Sequence, residues 1–136
     1  MDQLSSTHPR RALIVEDEIV IALDLQEAMS GLGFEISDLA ANSNRAFSLA
    51  MSNQPDIVLM DVGLDGGREG IEAGRWLREV CGVPVVFVTG YDDPDTLERI
   101  HERVPGAPVL AKPYLSGKEC APRSCPAQVS VQMLQL

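Results

Sequence analysis

The sequence has few basic residues, few cysteines and no long apolar run, and each shortage argues against a class of protein. There are 11 Lys and Arg against 20 Asp and Glu, which gives a net charge of −9. Nucleic-acid binding depends on basic side chains that neutralise phosphates, so we expect no nucleic-acid partner. No apolar run approaches the roughly 18 residues of a membrane span. Residues 1–10 are polar, lack the apolar core of a signal peptide, and are predicted to be a flexible lead-in.

The cysteines do not form a recognisable site. Three are present, so any disulfide scheme leaves one unpaired: Cys81, Cys120 and Cys125. The spacing of the last two fits no zinc pattern, and no histidine lies near them. We interpret all three as reduced thiols without a function and expect a cytoplasmic protein with no membrane association.

What is present fits one globular domain. The 136 residues are 45% hydrophobic and 23% charged, enough for one sizeable core but not for two. We therefore expect no room for an attached output domain.

Apolar runs alternate with segments of helical periodicity. Strands are predicted at 11–16, 34–40, 56–60, 83–90 and 107–112. Helices are predicted after Glu18, after a cap at Asn42, at 71–82 and from Asp93-Pro94. Apolar residues recur at helical spacing in the first helix, at Ile21, Leu25, Ala28 and Leu32, and the second helix carries Ala46, Leu49 and Ala50. The third has Ala73, Leu77 and Val80 on one face, and the predicted buried face of the fourth is Leu97, Ile100 and Val104.

This alternation predicts βαβ units and an α/β fold with a parallel sheet. The strands are continuously apolar, which is typical of a sheet covered on both faces. A glycine-rich stretch, which contains Gly63, Gly66, Gly67 and Gly70, is predicted to be a loop after the third strand.

Polar side chains follow four of the apolar runs. The first run ends in Glu16-Asp17, and the others end in Asp61, Thr89 and Lys112. In open α/β sheets, ligands bind at the carboxyl ends of the strands. Taken singly, each residue has an ordinary explanation, such as a helix cap, a strand threonine or a solvated lysine. None of these explanations accounts for all of the residues lying at the same edge of the sheet.

The set is chemically coherent. Clustered carboxylates need a cation, and oxygen ligands select a hard one such as Mg²⁺. An aspartate can attack phosphorus and form an aspartyl phosphate. A lysine and a hydroxyl would stabilise the phosphoryl oxygens in the transition state, and the backbone N–H groups of Gly63 and Gly90 could approach closely.

The motifs resemble the receiver domain of two-component response regulators, over about Arg11 to Tyr114. The segments that carry the likeness are VEDE (15–18), DIVLMDVGL (56–64), GIEAGRWLRE (70–79), VVFVTGY (85–91) and KPY (112–114). The resemblance implies a doubly wound, flavodoxin-like sheet of order 2-1-3-4-5, a receiver domain at 11–114 and a cis peptide at Lys112-Pro113.

The resemblance also assigns roles to individual residues. Asp61 would be the phosphoacceptor, and Glu16, Asp17, Asp61 and the Gly63 carbonyl would hold Mg²⁺. Thr89 and Lys112 would bind the phosphoryl group, with Thr89 and Tyr91 as switch residues. The implied partners are a histidine kinase or histidine phosphotransfer protein and a downstream protein. Enzymatic activity would be limited to phosphorylation and dephosphorylation of the chain itself.

Two features depart from the family pattern. Val109 stands where the family usually has an aromatic residue on the fifth strand, whereas Thr89-Gly90-Tyr91 resembles a receiver subgroup that lacks that aromatic. The C-terminal segment 115–136 contains Pro122 and Pro126, which break helices, so the fifth helix of the family is expected to be atypical here.

Three other functions use a similar sheet. An aspartate-nucleophile phosphatase would place a second acid two residues after the nucleophile, where this chain has Gly63. A flavin-binding module is disfavoured because the acidic loop after the first strand would repel a phosphate. A receiver-like scaffold that binds proteins without being phosphorylated is the main alternative.

Overall fold

The sheet has the predicted parallel arrangement. The computed structural model of the chain describes residues 10–64, 69–90 and 94–111. Five strands are hydrogen-bonded in the order β2-β1-β3-β4-β5, with every neighbouring pair parallel. Their bounds are β1 Arg11–Val15, β2 Glu35–Ala40, β3 Ile57–Asp61, β4 Val85–Thr89 and β5 Val109–Ala111. The predicted α/β fold and strand order are confirmed.

Four helices connect the strands within the described ranges. They are α1 Ile19–Gly31, α2 Ser43–Asn53, α3 Glu69–Trp76 and α4 Pro94–Arg103, and a π-helical turn, Leu77–Cys81, continues α3. The predicted cap of α2 is confirmed, because the Asn42 side chain accepts a hydrogen bond of 2.8 Å from the Arg45 N–H. None of the described helices is long and apolar enough to cross a bilayer.

Two hydrophobic layers enclose the sheet, one on each face. Each strand contributes to both layers, because its successive residues point to opposite faces. On β1, Leu13 and Val15 face the layer that contains α2, α3 and α4. Ala12 and Ile14 face the other layer, into which α1 inserts. The buried side chains of α1 are Ala22, Leu25 and Met29. Both faces are therefore covered, as the continuously apolar strands predicted.

The prediction that Val80 shares one face with Ala73 and Leu77 is wrong, since its side chain is 60% exposed while theirs are buried. The prediction assumed a continuous α-helix, in which Val80 would share a face with Ala73 and Leu77. The π-helical turn has more residues per turn than an α-helix, so it shifts the inward position by one residue. Cys81 packs against the core in place of Val80.

The predicted inner face of α4 is also partly wrong. Leu97 is 37% exposed, whereas Thr96 is buried together with Ile100 and Val104. On α1, the predicted positions Ile21, Ala28 and Leu32 are only partly buried. In α1, the sequence has more apolar residues than one face can hold, so periodicity alone did not decide which of them point inward.

Several predictions concern residues outside the described ranges. They are Lys112, Tyr91, Asp93, the Lys112-Pro113 peptide, the segment 1–9, and the atypical C-terminal segment 115–136.

Candidate functional site

The acidic residues predicted at the sheet edge come together there. β1 and β3 are neighbours in the sheet, and Glu16-Asp17 follows β1 while Asp61 is the last residue of β3. One carboxylate oxygen from each of Glu16, Asp17 and Asp61 lies within 4.8 Å of the other two. This is the point where the strand order reverses, the usual ligand crevice of a doubly wound sheet.

The three carboxylates differ in exposure. Glu16 and Asp61 are only 4% and 3% exposed, whereas Asp17 faces solvent. The backbone N–H of Glu16 donates to the Ala40 carbonyl at 2.9 Å, which ties the residue to β2 just beyond β1. The N–H of Glu18 donates to Glu16 Oε2 at 3.3 Å. Glu16 is therefore held by two hydrogen bonds, one from its own N–H and one to its carboxylate, whereas the side chain of Asp17 is open to solvent.

The Asp61 carboxylate is oriented by the turn that follows it. The Gly63 N–H donates to Asp61 Oδ1 at 3.1 Å, and the Val62 N–H donates to the Val88 carbonyl at 3.0 Å. The second bond joins the end of β3 to the end of β4, and the first places Gly63 beside Asp61 in the acidic cluster.

Gly70 has a structural role that sequence reasoning missed. We predicted it as part of a loop, but it is the second residue of α3, and its N–H lies 3.3 Å from the Val62 carbonyl oxygen. A Cβ atom added there would lie 1.9 Å from the Asp61 carbonyl oxygen and 2.9 Å from Val62 Cα. The helix packs this closely on the site only because residue 70 has no side chain.

Thr89 is the last residue of β4 and is 6% exposed. In the register of the sheet, its neighbour Val88 lies opposite Asp61. Thr89 itself lies opposite Ala111, the residue that precedes Lys112 in the chain. The structure thus places Thr89 at the same edge as the acidic cluster, one strand away.

Val109 lies on β5, where the sequence resemblance placed it. It is partly buried and lies opposite Phe87 of β4. The Phe87 side chain is fully buried. Where the family usually has an aromatic residue on β5, this chain has Val109, and the aromatic residue Phe87 lies opposite it on β4.

An apolar patch lies next to the acidic cluster and was not predicted. Ile19, Val20 and Leu23, in the first turns of α1, are 61%, 56% and 52% exposed. The available signal was the stretch IVIALDL (19–25), which has apolar residues on more than one helical face. Contiguous exposed apolar side chains are typical of protein-binding surfaces.

The donor set fits a hard divalent cation. Two buried carboxylates and one exposed carboxylate supply oxygen atoms, which Mg²⁺ prefers, and their mutual repulsion would be relieved by a bound cation. Exposed Asp17 would allow the ion to keep some of its water ligands.

The chain is similar to known response regulators along most of its length. The family model for the response regulator receiver domain matches residues 12–117. The transcriptional regulatory protein PdtaR of Mycobacterium tuberculosis is 37% identical over 106 residues, which cover 78% of this chain and 51% of that protein. The phyllosphere-induced regulator PhyR of Methylorubrum extorquens is 34% identical over 115 residues, which cover 82% of this chain and 41% of that protein. The chain thus spans about half the length of these curated relatives, or less.

Solved structures agree on the fold. The signal receiver domain of a modulated diguanylate cyclase from Desulfovibrio desulfuricans has a TM-score of 0.71 at 28% identity, with 93% of each chain covered. CheY in a CheX-CheY-BeF3-Mg complex from Borrelia burgdorferi has a TM-score of 0.76 at 20% identity, with 97% of this chain and 92% of that one covered. Together with the family match and the strand order, these findings establish that the chain belongs to the response regulator receiver domain family.

Proposed function

We propose that the chain accepts a phosphoryl group on Asp61 and signals through protein contacts that depend on it. The observation that carries this proposal is the convergence of Glu16, Asp17 and Asp61 within 4.8 Å at the ligand-binding edge of a receiver-family sheet. The phosphoryl donor is the phosphohistidine of a histidine kinase or of a histidine phosphotransfer protein.

In the proposed reaction, an Asp61 carboxylate oxygen attacks phosphorus. The P–N bond of the phosphohistidine breaks, its electron pair returns to the imidazole nitrogen, and an acyl phosphate forms on Asp61. The Gly63 N–H bond to Asp61 Oδ1 supports this role, because it limits rotation of the carboxylate before the attack.

Mg²⁺ would be held by Glu16, Asp17, Asp61 and the Gly63 carbonyl, and it would neutralise charge on the transferred group. Thr89, at the end of β4, would donate its hydroxyl hydrogen to a phosphoryl oxygen. Lys112 is assigned to the same group from the sequence alone. Tyr91 remains a proposed switch residue on the same basis.

The exposed patch on α1 supports a protein donor rather than a metabolite. Ile19, Val20 and Leu23 begin two residues after Asp17, so a helix seated on them would bring a histidine near the acidic cluster. The phosphorylated chain would then bind a downstream protein partner.

The test is phosphorylation by a small-molecule donor such as phosphoramidate with Mg²⁺, followed by intact mass. We expect a gain of one phosphoryl group in the wild type and none in Asp61→Asn, because an amide is a poor nucleophile. Asp56→Asn, at the opposite edge of the sheet, is the matched control and should be labelled normally. Labelling of Asp61→Asn would contradict the assignment. No labelling of the wild type would favour the non-phosphorylated scaffold.

The protein donor is tested separately. Val20→Gln should slow transfer from a phosphorylated histidine phosphotransfer protein but leave labelling by phosphoramidate unchanged, because only the protein donor needs the patch. Equal slowing with both donors would show that Val20 acts on the site itself.

A further inference from the structure

The outer surface of α2 and α3 has a feature that phosphoryl transfer does not use. A groove of about 420 Å³ lies between the two helices. Phe47 and Trp76 line it, with ring centroids 4.4 Å apart and planes tilted by 40°. Both rings are partly buried against the core, and the groove walls also include Ser43, Glu72, Ala73, Arg75 and Glu79.

Two strongly exposed apolar residues extend this surface. Met51 lies four residues after Phe47 on α2, and Val80 lies four residues after Trp76 on the π-helical turn; they are 62% and 60% exposed. Phe47 and Met51 lie on nearly the same side of α2, because residues four apart share a side of an α-helix. α2 also contacts the π-helical turn directly. We call Phe47, Met51, Trp76 and Val80, with the groove walls, the α2–α3 surface.

The local structure places Val80 there against the pattern of the sequence. An α-helix continued through residue 80 would have turned this valine towards the core, as periodicity predicted. The π-helical turn instead packs Cys81 inward and leaves Val80 in solvent. π-helical turns are rare and frequently lie at functional sites. The exposure of Val80 is thus a consequence of an uncommon backbone geometry.

Charge distinguishes this surface from the rest of the protein. The helical segments 43–53 and 69–81 contain three acidic residues, Glu69, Glu72 and Glu79, and three basic ones, Arg45, Arg75 and Arg78. Their net charge is therefore zero, whereas the whole chain carries −9. Two copies of a chain with this charge repel each other least where they meet through a neutral surface.

The arrangement of these charges also suits self-pairing. In a two-fold interface the same patch faces itself, so a favourable patch must contain both signs. Arg75 lies between Glu72 and Glu79, with its guanidinium 3.8 Å and 3.1 Å from their carboxylates. A rotated second copy can exchange such Arg–Glu pairs across the interface. A strongly basic or acidic partner would find no net complement here.

We propose that the α2–α3 surface is the interface between two copies of this chain. The apolar centre is Phe47, Met51, Trp76 and Val80, and the rim is the alternating Glu and Arg of α3. This assembly does not depend on the proposed phosphorylation. Tryptophan at the centre and charges at the rim are typical of protein interfaces.

The test is sedimentation equilibrium of the full chain over a wide range of concentrations. We expect a monomer–dimer equilibrium, with the dissociation constant raised at least about tenfold in Val80→Gln or Met51→Gln. Both side chains are mostly exposed, so these variants should fold normally. The matched control is Leu23→Gln on α1, which removes a similarly exposed leucine from the helix on the opposite face of the sheet and should leave dimerisation unchanged.

Two further measurements separate this interface from others. Trp76 is the only tryptophan in the chain, so its emission should shift to shorter wavelength on association as water leaves the groove. Added salt should leave the dimer largely intact, because its centre is apolar and screening weakens both the repulsion between the chains and the Arg–Glu pairs at the rim. A monomer at all concentrations overturns the proposal. A dimer that is insensitive to Val80→Gln and Met51→Gln, or that forms without a change in Trp76 emission, also overturns it.

Discussion

At the amino edge of the sheet, Asp56 is bound to the neighbouring strand, whereas the acidic residues at the carboxyl edge converge on one another. The Arg11 N–H donates to Asp56 Oδ2 at 2.7 Å. Within β2, Asp38 Oδ2 accepts a hydrogen bond from the Asn53 side-chain amide. At the carboxyl edge, Glu16, Asp17 and Asp61 bring oxygens within 4.8 Å.

The difference separates acids that hold the fold together from acids that prepare a site. The Arg11 guanidinium also donates to the Asn53 carbonyl at 2.6 Å, so the amino edge joins β1 to the end of α2. At the carboxyl edge, Glu16 and Asp61 also accept backbone hydrogen bonds, but the three carboxylates there repel one another. Repulsion of this kind is tolerated where a bound cation relieves it, and the carboxyl edge is where ligands bind in this type of sheet.

The largest effect should come from filling the space at Gly70. Gly70→Ala would place a methyl group 1.9 Å from the Asp61 carbonyl oxygen, so α3 must move away from the carboxyl edge. We expect a loss of about 1–3 kcal/mol in the free energy of unfolding, together with slower phosphorylation by phosphoramidate. Chemical denaturation and timed intact-mass measurements would check both.

Gly31→Ala is the control for this change. Gly31 ends α1, and a Cβ atom there would meet nothing within 4 Å. Alanine in place of a helical glycine should be neutral or stabilise by up to about 1 kcal/mol. Gly70→Ala with wild-type stability and labelling rate would show that α3 does not need its close approach to Asp61.

The next prediction is that neutralising one acidic residue changes the free energy of unfolding in opposite directions at the two edges. Without Mg²⁺, Asp17→Asn should raise the free energy of unfolding by up to about 1 kcal/mol, because it removes one of three like charges. Asp56→Asn should lower it by about 0.5–1.5 kcal/mol, because it weakens the bond from the Arg11 N–H. Denaturant titrations of both variants would check the opposite signs.

Added Mg²⁺ should remove the stability advantage of Asp17→Asn over the wild type, but it should not change the stability difference between Asp56→Asn and the wild type. The wild type should be stabilised by added Mg²⁺ much more than Asp17→Asn, while Asp56→Asn should respond like the wild type. If Asp17→Asn kept the full Mg²⁺ response, Asp17 would not be a ligand.

The smallest effect concerns Glu72, a paired acid outside both edges. Arg103 of α4 donates to its two carboxylate oxygens at 2.7 and 3.0 Å, and these bonds lower the Glu72 pKa from its usual value of 4.5. Because the folded-state pKa is depressed, the pair contributes stability above pH 4.5 and loses it as the pH falls through the lowered value. Solvent and salt screen this exposed pair, so the contribution is small.

Glu72→Gln should therefore be slightly less stable than the wild type at neutral pH, with the difference vanishing in acid. Thermal melts of the two proteins from neutral to acidic pH would check this. Glu98→Gln, an exposed acid on α4, is the control and should track the wild type. A difference that persisted at the acidic end would have to come from packing rather than charge.

The sequence by itself determined the class of fold and predicted which residues lie at the carboxyl edge of the sheet. Continuous apolar strands alternating with helices require a parallel sheet covered on both faces, and in such a sheet all carboxyl ends share one edge. Residues at the carboxyl ends of the strands, such as Asp61 and Thr89, could therefore be placed at this edge from sequence alone.

Only the tertiary structure decided which helical residues point inward and how closely α3 approaches the site. Both depend on contacts between segments distant in the sequence. Val80 is exposed because the backbone adopts a π-helical turn, which periodicity does not encode. Gly70 looked like a loop glycine because nothing local shows that the Asp61 carbonyl lies where its Cβ would be. The resemblance to the receiver family implied the strand order, whereas side-chain phase and close approach depend on packing.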